Sequence, residues 1–295
     1  MSFSPAIYLG ALAIGLGIGV LTGMFGVGGG FLITPLLNVL LGVPMPVAVG
    51  TGVLQILGVS TAGIYRRRSE RRTDYKLAIV LFGGNYVGVQ LGADALRALA
   101  TLGSVTIWGR AVPAGDFFTL SVFFALLLVI AIWLLYDSGR KTSAEGVRQG
   151  LFAKIKLPPY ATFDSLDGAR LSIPVLAYFG VMLGFLTGLL GIGGGVVLLP
   201  ALVYLVGMRT HVAAATSLVM VWLTSFLAAI AHTQAGNADI WLALPLLVGG
   251  SLGLQLGVSL CNRMQGLRLR RMFSFVVLAA VALVAVKLAT LLLQT

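Results

Sequence analysis

Two glycine-rich runs interrupt the most apolar parts of the chain, and their backbone chemistry suits a small anion. The first reads GMFGVGGGFLITP over residues 23–35, and the second reads GLLGIGGGVVLLP over residues 188–200. A helix that starts after such a run has N–H groups without partners in its first turn. With the helix dipole, these groups form an anion site. The predicted anion-binding residues are Gly28, Gly29, Gly30, Gly193, Gly194 and Gly195.

Two structural roles would also suit these glycines. Small residues let membrane helices approach closely, and glycine favours a tight turn. A nucleotide-binding loop is excluded, because the pattern G-x-x-x-x-G-K-[ST] is absent and no lysine follows either run.

Hydroxyl and amide side chains in the apolar segments supply further ligands. A hydroxyl or an amide N–H donates a hydrogen bond to an oxyanion. A hydrogen bond between helices is the alternative role for each of them. The predicted polar ligands are Thr51, Gln55, Asn85, Gln90, Thr216, Ser217 and Gln255.

Few titratable residues lie in these segments. His211 and His232 flank a predicted helix over residues 212–230, and each is either structural or a site of proton coupling. Asp74 and Asp239 precede apolar segments and are predicted to cap helices. The single cysteine, Cys261, excludes an internal disulfide or a multi-cysteine metal site. The sequence indicates no cofactor and no metal.

The composition requires a membrane environment for these residues. The chain has 295 residues, of which 58% are hydrophobic and 10% charged, whereas soluble domains carry about 25% charged residues. Its long apolar stretches lack the alternation of barrel strands. We therefore expect an all-α polytopic protein of the cell inner membrane, with the N-terminal stretch retained as a first helix.

The two glycine runs belong to a sequence duplication. A shift of 165 residues aligns about 85 positions without a gap, placing Pro35 on Pro200 and Asp74 on Asp239. The predicted organisation is a first repeat over 5–136, a basic linker over 137–171 and a second repeat over 172–293.

The charges predict that the repeats are inverted. Loop 66–76 reads RRRSERRTDYK, whereas its counterpart at 231–239 has no lysine or arginine. By the positive-inside rule the first loop is cytoplasmic and the second is external. This arrangement puts 17 of the 20 basic residues inside, all except Arg97, Arg110 and Lys287, and both termini outside. Inverted repeats are typical of secondary transporters.

Each glycine run must then turn the chain back on itself. As one helix, the roughly 35-residue segment would be ~52 Å long, too long for a ~30 Å hydrocarbon core. We therefore predict a helical hairpin with arms at about 8–25 and 31–42, and its equivalent in the second repeat. The count is ten helical segments, five per repeat, or eight spans plus two re-entrant hairpins.

At these elements the chain resembles the sulfite exporter TauE/SafE family, also called the TSUP anion permeases. The resemblance rests on residues 23–37 and 188–203, on the following helices VAVGTGV (47–53) and VAAATSL (212–218), and on the duplicated layout around a hydrophilic loop. It covers about residues 5–290. It implies secondary transport, in the export direction, of sulfite, thiosulfate or an organosulfonate such as sulfoacetate.

The expected function is therefore alternating access, with the two halves rocking around a central anion site. A passive anion channel is the first alternative, because it would use the same site chemistry. An intramembrane enzyme is the second, but the sequence lacks HExxH and a serine nucleophile loop. Expected partners are a small anion and anionic lipid at the basic segment from Arg66 to Arg72. Nucleic acid is not expected, and an oligomer is compatible with the sequence.

Overall fold

Helices dominate the computed structural model of this chain. The structure describes residues 4–68, 73–107, 110–138, 150–155, 157–166 and 168–294. Residues 69–72 of the basic segment and 139–149 of the linker therefore lie outside the described residues. Six helices in the described part are long and apolar enough to cross a membrane. These features confirm the all-α polytopic fold.

The described residues form ten α-helices, five in each repeat. In the first repeat, α1 is Pro5–Phe25, α2 is Gly30–Leu41, α3 is Met45–Arg67, α4 is Tyr75–Thr101 and α5 is Ala114–Ser138. In the second, α6 is Ile173–Leu190, α7 is Gly195–Ala201, α8 is Thr210–Gln234, α9 is Ile240–Arg263 and α10 is Gly266–Gln294. A π-helical turn, Leu202–Val206, extends α7, so both second arms have about 12 residues and are ~18 Å long.

Two glycine seams hold the helices together. Along α1, a methyl group built at Gly19 would lie 2.1 Å from the Gly250 carbonyl oxygen in α9. The equivalent methyl at Gly184 in α6 would lie 2.2 Å from the Asn85 carbonyl oxygen in α4. Each seam therefore joins the first helix of one repeat to the fourth helix of the other. The two repeats interlock and do not pack as separate units. The seam glycines are Gly15, Gly19, Gly23, Gly249, Gly253 and Gly257, and their equivalents Gly180, Gly184, Gly188, Gly84, Gly88 and Gly92.

Helices α3 and α8 occupy the centre and run antiparallel, the relation that inverted repeats require. The start of α3 lies beside the loop before α9, because a methyl at Gly50 would lie 2.4 Å from the Asn237 carbonyl oxygen. The start of α8 lies beside the loop before α4, where the Asp74 N–H donates to the Thr216 hydroxyl over 3.0 Å.

Two short antiparallel β-hairpins were not expected from the sequence. Strands β1 (Ser104–Ile107) and β2 (Arg110–Pro113) pair between α4 and α5. Strands β3 (Tyr160–Thr162) and β4 (Arg170–Ser172) pair within the linker. The linker docks at the start of α4, where Lys76 Nζ donates to the Thr162 carbonyl oxygen over 2.7 Å. Ser165 donates to the Asp74 carboxylate at the same place. The described part of the linker is therefore packed against the helices.

The predicted orientation in the membrane is testable at equivalent positions of the two repeats. Arg68 follows α3 and Thr233 lies near the end of α8, and both side chains are exposed. In a Cys261→Ala background, a membrane-impermeant maleimide is expected to label Thr233→Cys in intact cells. Arg68→Cys is expected to react only after the cells are opened. Labelling of both cysteines from one side would contradict the inverted topology.

Candidate functional site

The two glycine runs form turns with the same backbone conformation. The first turn, residues 26–29, connects α1 to α2, and the second, residues 191–194, connects α6 to α7. Gly28 and Gly29 have φ of +74° and +70°, and Gly193 and Gly194 have +64° and +74°. Residues other than glycine rarely adopt this left-handed conformation. The turn geometry therefore explains why glycine stands at these positions.

The turns meet backbone to backbone at the centre of the protein, as the duplication predicts. A methyl group at Gly195 would lie 1.9 Å from the Val27 carbonyl oxygen. A methyl at Gly30 would lie 2.7 Å from the Ile192 carbonyl oxygen. A side chain at either position would push the turns apart. The starts of α2 and of the segment Gly195–Val206 are thereby brought to one place, where their dipoles favour negative charge.

Equivalent side chains from α3 and α8 line this meeting point. Ile56 and Val221 both lie within van der Waals reach of a methyl built at Gly193, and so does the hydroxyl of Ser225, at 3.4 Å. The Ser225 Oγ is buried and has no hydrogen-bond partner among the described residues. Ser225 was not among the ligands predicted from the sequence. The shift of 165 residues aligns it with Ser60, so a serine stands at the same position of an apolar segment in both repeats.

Two threonines that were not predicted as ligands lie against the turns. A methyl at Gly29 would lie 2.8 Å from Thr22 Oγ1, and one at Gly194 would lie 3.3 Å from Thr187 Oγ1. Thr22 donates to the Ile18 carbonyl oxygen and Thr187 to that of Leu183, each over 2.9 Å. Because Thr22 and Thr187 are equivalent in the duplication, the alignment held the signal that would have identified them.

Gln55 is the most unusual polar side chain of the centre. It is fully buried, and neither its amide oxygen nor its amide nitrogen has a hydrogen-bond partner among the described residues. It lies against α9, where a methyl at Gly250 would be 2.5 Å from its Nε2. Burying an amide without partners costs roughly 1–3 kcal/mol in protein mutational data. A ligand that accepts from this amide would remove part of that cost.

Thr51, Thr216 and Ser217 hold backbone elements in place. Thr51 Oγ1 accepts from the Asp239 N–H over 3.1 Å, as Thr216 accepts from Asp74. Each hydroxyl thus ties its helix to the other repeat and keeps its own hydrogen available for donation. Ser217 donates to the Gly26 carbonyl oxygen over 2.7 Å and fixes the first glycine turn.

The two aspartates cap helices, as predicted. The Asp74 carboxylate accepts from the Leu77 N–H, and the Asp239 carboxylate accepts from the N–H groups of Trp241 and Leu242. Their side chains therefore have a structural role at the starts of α4 and α9.

The remaining amides divide by their position on the helices. Asn85 is buried and donates to the Gly180 carbonyl oxygen over 3.4 Å, while its Oδ1 has no partner among the described residues. Gln90 is half-buried and Gln255 is exposed on the outer surface of α9. The structure does not bring Gln255 to the glycine turns. Gly253 and Gly257 face α1, and Gln255 lies about 200° around the helix from each of them.

The two histidines lie at opposite ends of α8. His211 is near its start, with Nδ1 3.7 Å from the Cys261 sulfur. His232 is near its end and is 1% exposed, hydrogen-bonds to the Gly188 backbone, and has no described partner for Nε2. Among the described residues, no group of three or more His, Cys, Asp or Glu could hold a metal ion.

Arg67 is a buried cation at the position equivalent to His232. It is 4% exposed and donates to the Gly23 carbonyl oxygen, and Gly23 is itself equivalent to Gly188. From the sequence, Arg67 was expected only as part of a surface-exposed basic segment. The shift of 165 residues aligns Arg67 with His232, but only the structure shows that both side chains are buried.

The chain has relatives of similar length in bacteria and archaea. The probable membrane transporter protein YunE of Bacillus subtilis is 27% identical over 276 residues, which are 90% of each chain. The probable membrane transporter protein MJ0441 of Methanocaldococcus jannaschii is 26% identical over 278 residues, covering 89% of this chain and 90% of its own. A probable membrane transporter protein of Xylella fastidiosa strain 9a5c is 24% identical, with 89% and 88% covered.

No solved structure matches the chain. The family model described as Sulfite exporter TauE/SafE matches residues 11–284, which include both glycine turns, both central helices and both seams. The chain is a multi-pass membrane transporter protein that belongs to the sulfite exporter TauE/SafE family.

Proposed function

We propose that the protein is a secondary transporter that exports a small sulfur-containing anion such as sulfite, thiosulfate or an organosulfonate like sulfoacetate. The observation that carries this proposal is the meeting of two glycine turns beside the buried Ser225 hydroxyl, which has no hydrogen-bond partner among the described residues. Two helix starts that lie at one place favour a negative ligand. The Ser225 hydroxyl supplies a donor to its oxygens, and the Gln55 amide, one residue before Ile56 on α3, is a second candidate donor.

A buried positive charge supports an anionic substrate. Arg67 contacts the last turn of α1, three residues before the first glycine turn. The field of a guanidinium charge is poorly screened where water is excluded. The charge therefore lowers the energy of an anion that passes this end of α3.

Burial of the glycine turns favours alternating access over an open channel. Gly28, Gly29 and Gly30 and their three equivalents are all buried. An anion reaches them only when helices move. Because α1 packs on α9 and α6 on α4, the moving bodies are not the two repeats. Each body combines three helices of one repeat with the fourth helix of the other, namely α1, α2 and α3 with α9, and α6, α7 and α8 with α4.

His232 is the stronger of the two candidates for proton coupling. It is buried next to the second seam, whereas His211 is half-buried at the other end of α8. A proton on His232 would place a second cation at the position equivalent to Arg67. Transport driven by an imposed proton gradient, compared between the protein and His232→Gln, tests this role.

Flux into liposomes tests the substrate class. Purified protein is reconstituted, and uptake of sulfite, thiosulfate, sulfoacetate, taurine and sulfate is measured at equal concentration. The expected result is saturable uptake of one or more of the first three. If none of them moves and none binds, the sulfur-anion proposal is wrong. Turnover above about 10⁵ ions per second would indicate a channel, because enzyme-like conformational cycles run on μs–ms timescales.

A further inference from the structure

A groove lies on the side of the protein and is not lined by the glycine turns. It has a volume of about 540 Å³ and opens between α3, α4 and α8. We call it the side groove. Its lining is mostly aliphatic and aromatic, and its polar groups are the Thr61 hydroxyl, two tyrosine hydroxyls, the Trp222 N–H and the Arg68 guanidinium at the rim. The lining residues are Thr61, Ile64, Tyr65, Arg68, Tyr75, Ile79, Val219, Trp222 and Leu223.

The groove faces the membrane at the predicted cytoplasmic end of the helices. Tyr65, Ile79 and Tyr75 are 65%, 63% and 52% exposed, which is a large apolar and aromatic surface for one small patch. Tyrosine and tryptophan favour the level of the lipid head groups, and arginine favours the anionic cytoplasmic leaflet. The lining thus matches a lipid from its acyl chain to its head group.

The polar rim of the groove is held in position. The Arg68 guanidinium carbon lies 3.9 Å from the centre of the Tyr65 ring, a cation–π contact. The Trp222 Nε1 donates to Thr61 Oγ1 over 2.7 Å, and the Trp222 ring stacks on Phe226. One cation therefore stands over an ordered aromatic wall, where it can bind a phosphate while the wall contacts hydrocarbon.

The duplication provides an internal comparison. The positions equivalent to Arg68, Tyr65, Tyr75 and Trp222 are Thr233, Ile230, Ile240 and Leu57 on the predicted external side. At these four positions the cation and the three aromatic residues occur on one surface, whereas the other surface has one aromatic residue, Phe226, at the position equivalent to Thr61. Packing between helices would favour similar residues on both surfaces, whereas a lipid found in only one leaflet would favour particular residues on one surface.

We propose that the side groove binds one anionic phospholipid of the cytoplasmic leaflet, with an acyl chain along Ile79 and Val219 and its phosphate at Arg68. Charge complementarity identifies the occupant, since an apolar groove with a cationic rim fits a negatively charged amphiphile. The site narrows the lipid contact predicted for the whole basic segment to one of its arginines. It does not depend on the identity of the transported anion.

The side groove lies next to a residue that contacts the glycine turns. The groove joins α3 to α4 and α8, which belong to different moving bodies. Val219 and Trp222 in its wall flank Val221, which contacts both glycine turns. A lipid in the groove therefore contacts both sides of a moving interface.

Thermal unfolding of purified protein in detergent tests the site, with phosphatidylglycerol and phosphatidylcholine added at equal concentration. Phosphatidylglycerol is expected to raise Tm by about 5 °C more than phosphatidylcholine, the size that ligand excess gives for a chain of this length. Soluble glycerol 3-phosphate is expected to give no shift. Native mass spectrometry is expected to detect one retained phosphatidylglycerol per chain.

Two variants and a matched control separate the groove from general charge attraction. Arg68→Gln is expected to remove most of the extra rise in Tm that phosphatidylglycerol gives over phosphatidylcholine. Ile79→Trp fills the groove and is expected to remove the retained lipid seen by native mass spectrometry. Arg66→Gln is the control, because Arg66 is exposed two residues away and does not line the groove. Equal losses from Arg66→Gln and Arg68→Gln would overturn the proposal, as would equal shifts from both lipids. A chain dimer that dissociates in Ile79→Trp would also overturn it, by assigning the groove to a second copy.

Discussion

Replacing Gln55 by leucine is expected to stabilise the protein and to slow its transport strongly. Leucine is similar in size, and it removes two buried polar atoms that have no partner among the described residues. Removing such a group is worth roughly 1–3 kcal/mol, which corresponds to a rise in Tm of several degrees. A hydrogen bond to a charged ligand is worth about 1.5–3 kcal/mol, so transport is expected to fall about 10- to 100-fold.

The opposite signs of these two effects make the Gln55 experiment decisive. A merely structural glutamine would give a variant that is less stable and less active together. Gln255→Leu is the matched control. Because Gln255 is exposed on α9, this substitution is expected to leave both Tm and transport unchanged. Liposome flux and thermal unfolding are measured on the same preparations. Full activity in Gln55→Leu would remove Gln55 from the site.

Alanine at Gly194 is expected to reduce transport far more than alanine at Gly42. Both glycines are left-handed, with φ of +74° and +66°, so each substitution carries a strain of about 1–2 kcal/mol. The methyl at Gly194 lies at the start of a helix in the central site, 3.3 Å from the Thr187 hydroxyl. The methyl at Gly42 meets nothing within 4 Å.

The two alanine variants are therefore matched in backbone strain and differ in location. Their Tm values are expected to fall by similar amounts, whereas transport is expected to fall at least about 10-fold, or ~1.4 kcal/mol, only in Gly194→Ala. Initial uptake rates in liposomes and thermal unfolding provide the comparison. Equal transport by the two variants would mean that the second glycine turn serves packing alone.

The sequence predicted the broken hairpins closely because glycine marks them directly. The predicted second arm at 31–42 is observed as Gly30–Leu41, and the first arm ends at Phe25 as expected. These boundaries follow from local chemistry, since a left-handed glycine ends each first arm. The duplication added the long-range information, because a twofold axis relates equivalent turns of inverted repeats, and turns near that axis meet there.

The orientation of individual side chains was harder to predict. A membrane helix is apolar on all faces, so its hydrophobic pattern does not indicate which face points inward. Gln255 was predicted as a ligand and is exposed, whereas Ser225 was overlooked and lies beside Gly193. The glycines provide the missing reference, since the face that carries Gly253 and Gly257 must meet another helix. The π-helical turn after Ala201 has no comparable signal in the sequence.

The crossed glycine seams also determine the order in which the helices can pair during synthesis. Helix α4 meets its partner α6 once residue 190 has been made, but α1 has no matching glycine face until α9, residues Ile240–Arg263, has followed it into the membrane. Until then, the Gly15, Gly19 and Gly23 face of α1 has not met the helix on which it packs. A chain that ends before residue 240 therefore lacks the close packing that α9 gives to α1, and α1 is left with its smaller contacts to α2 and α3.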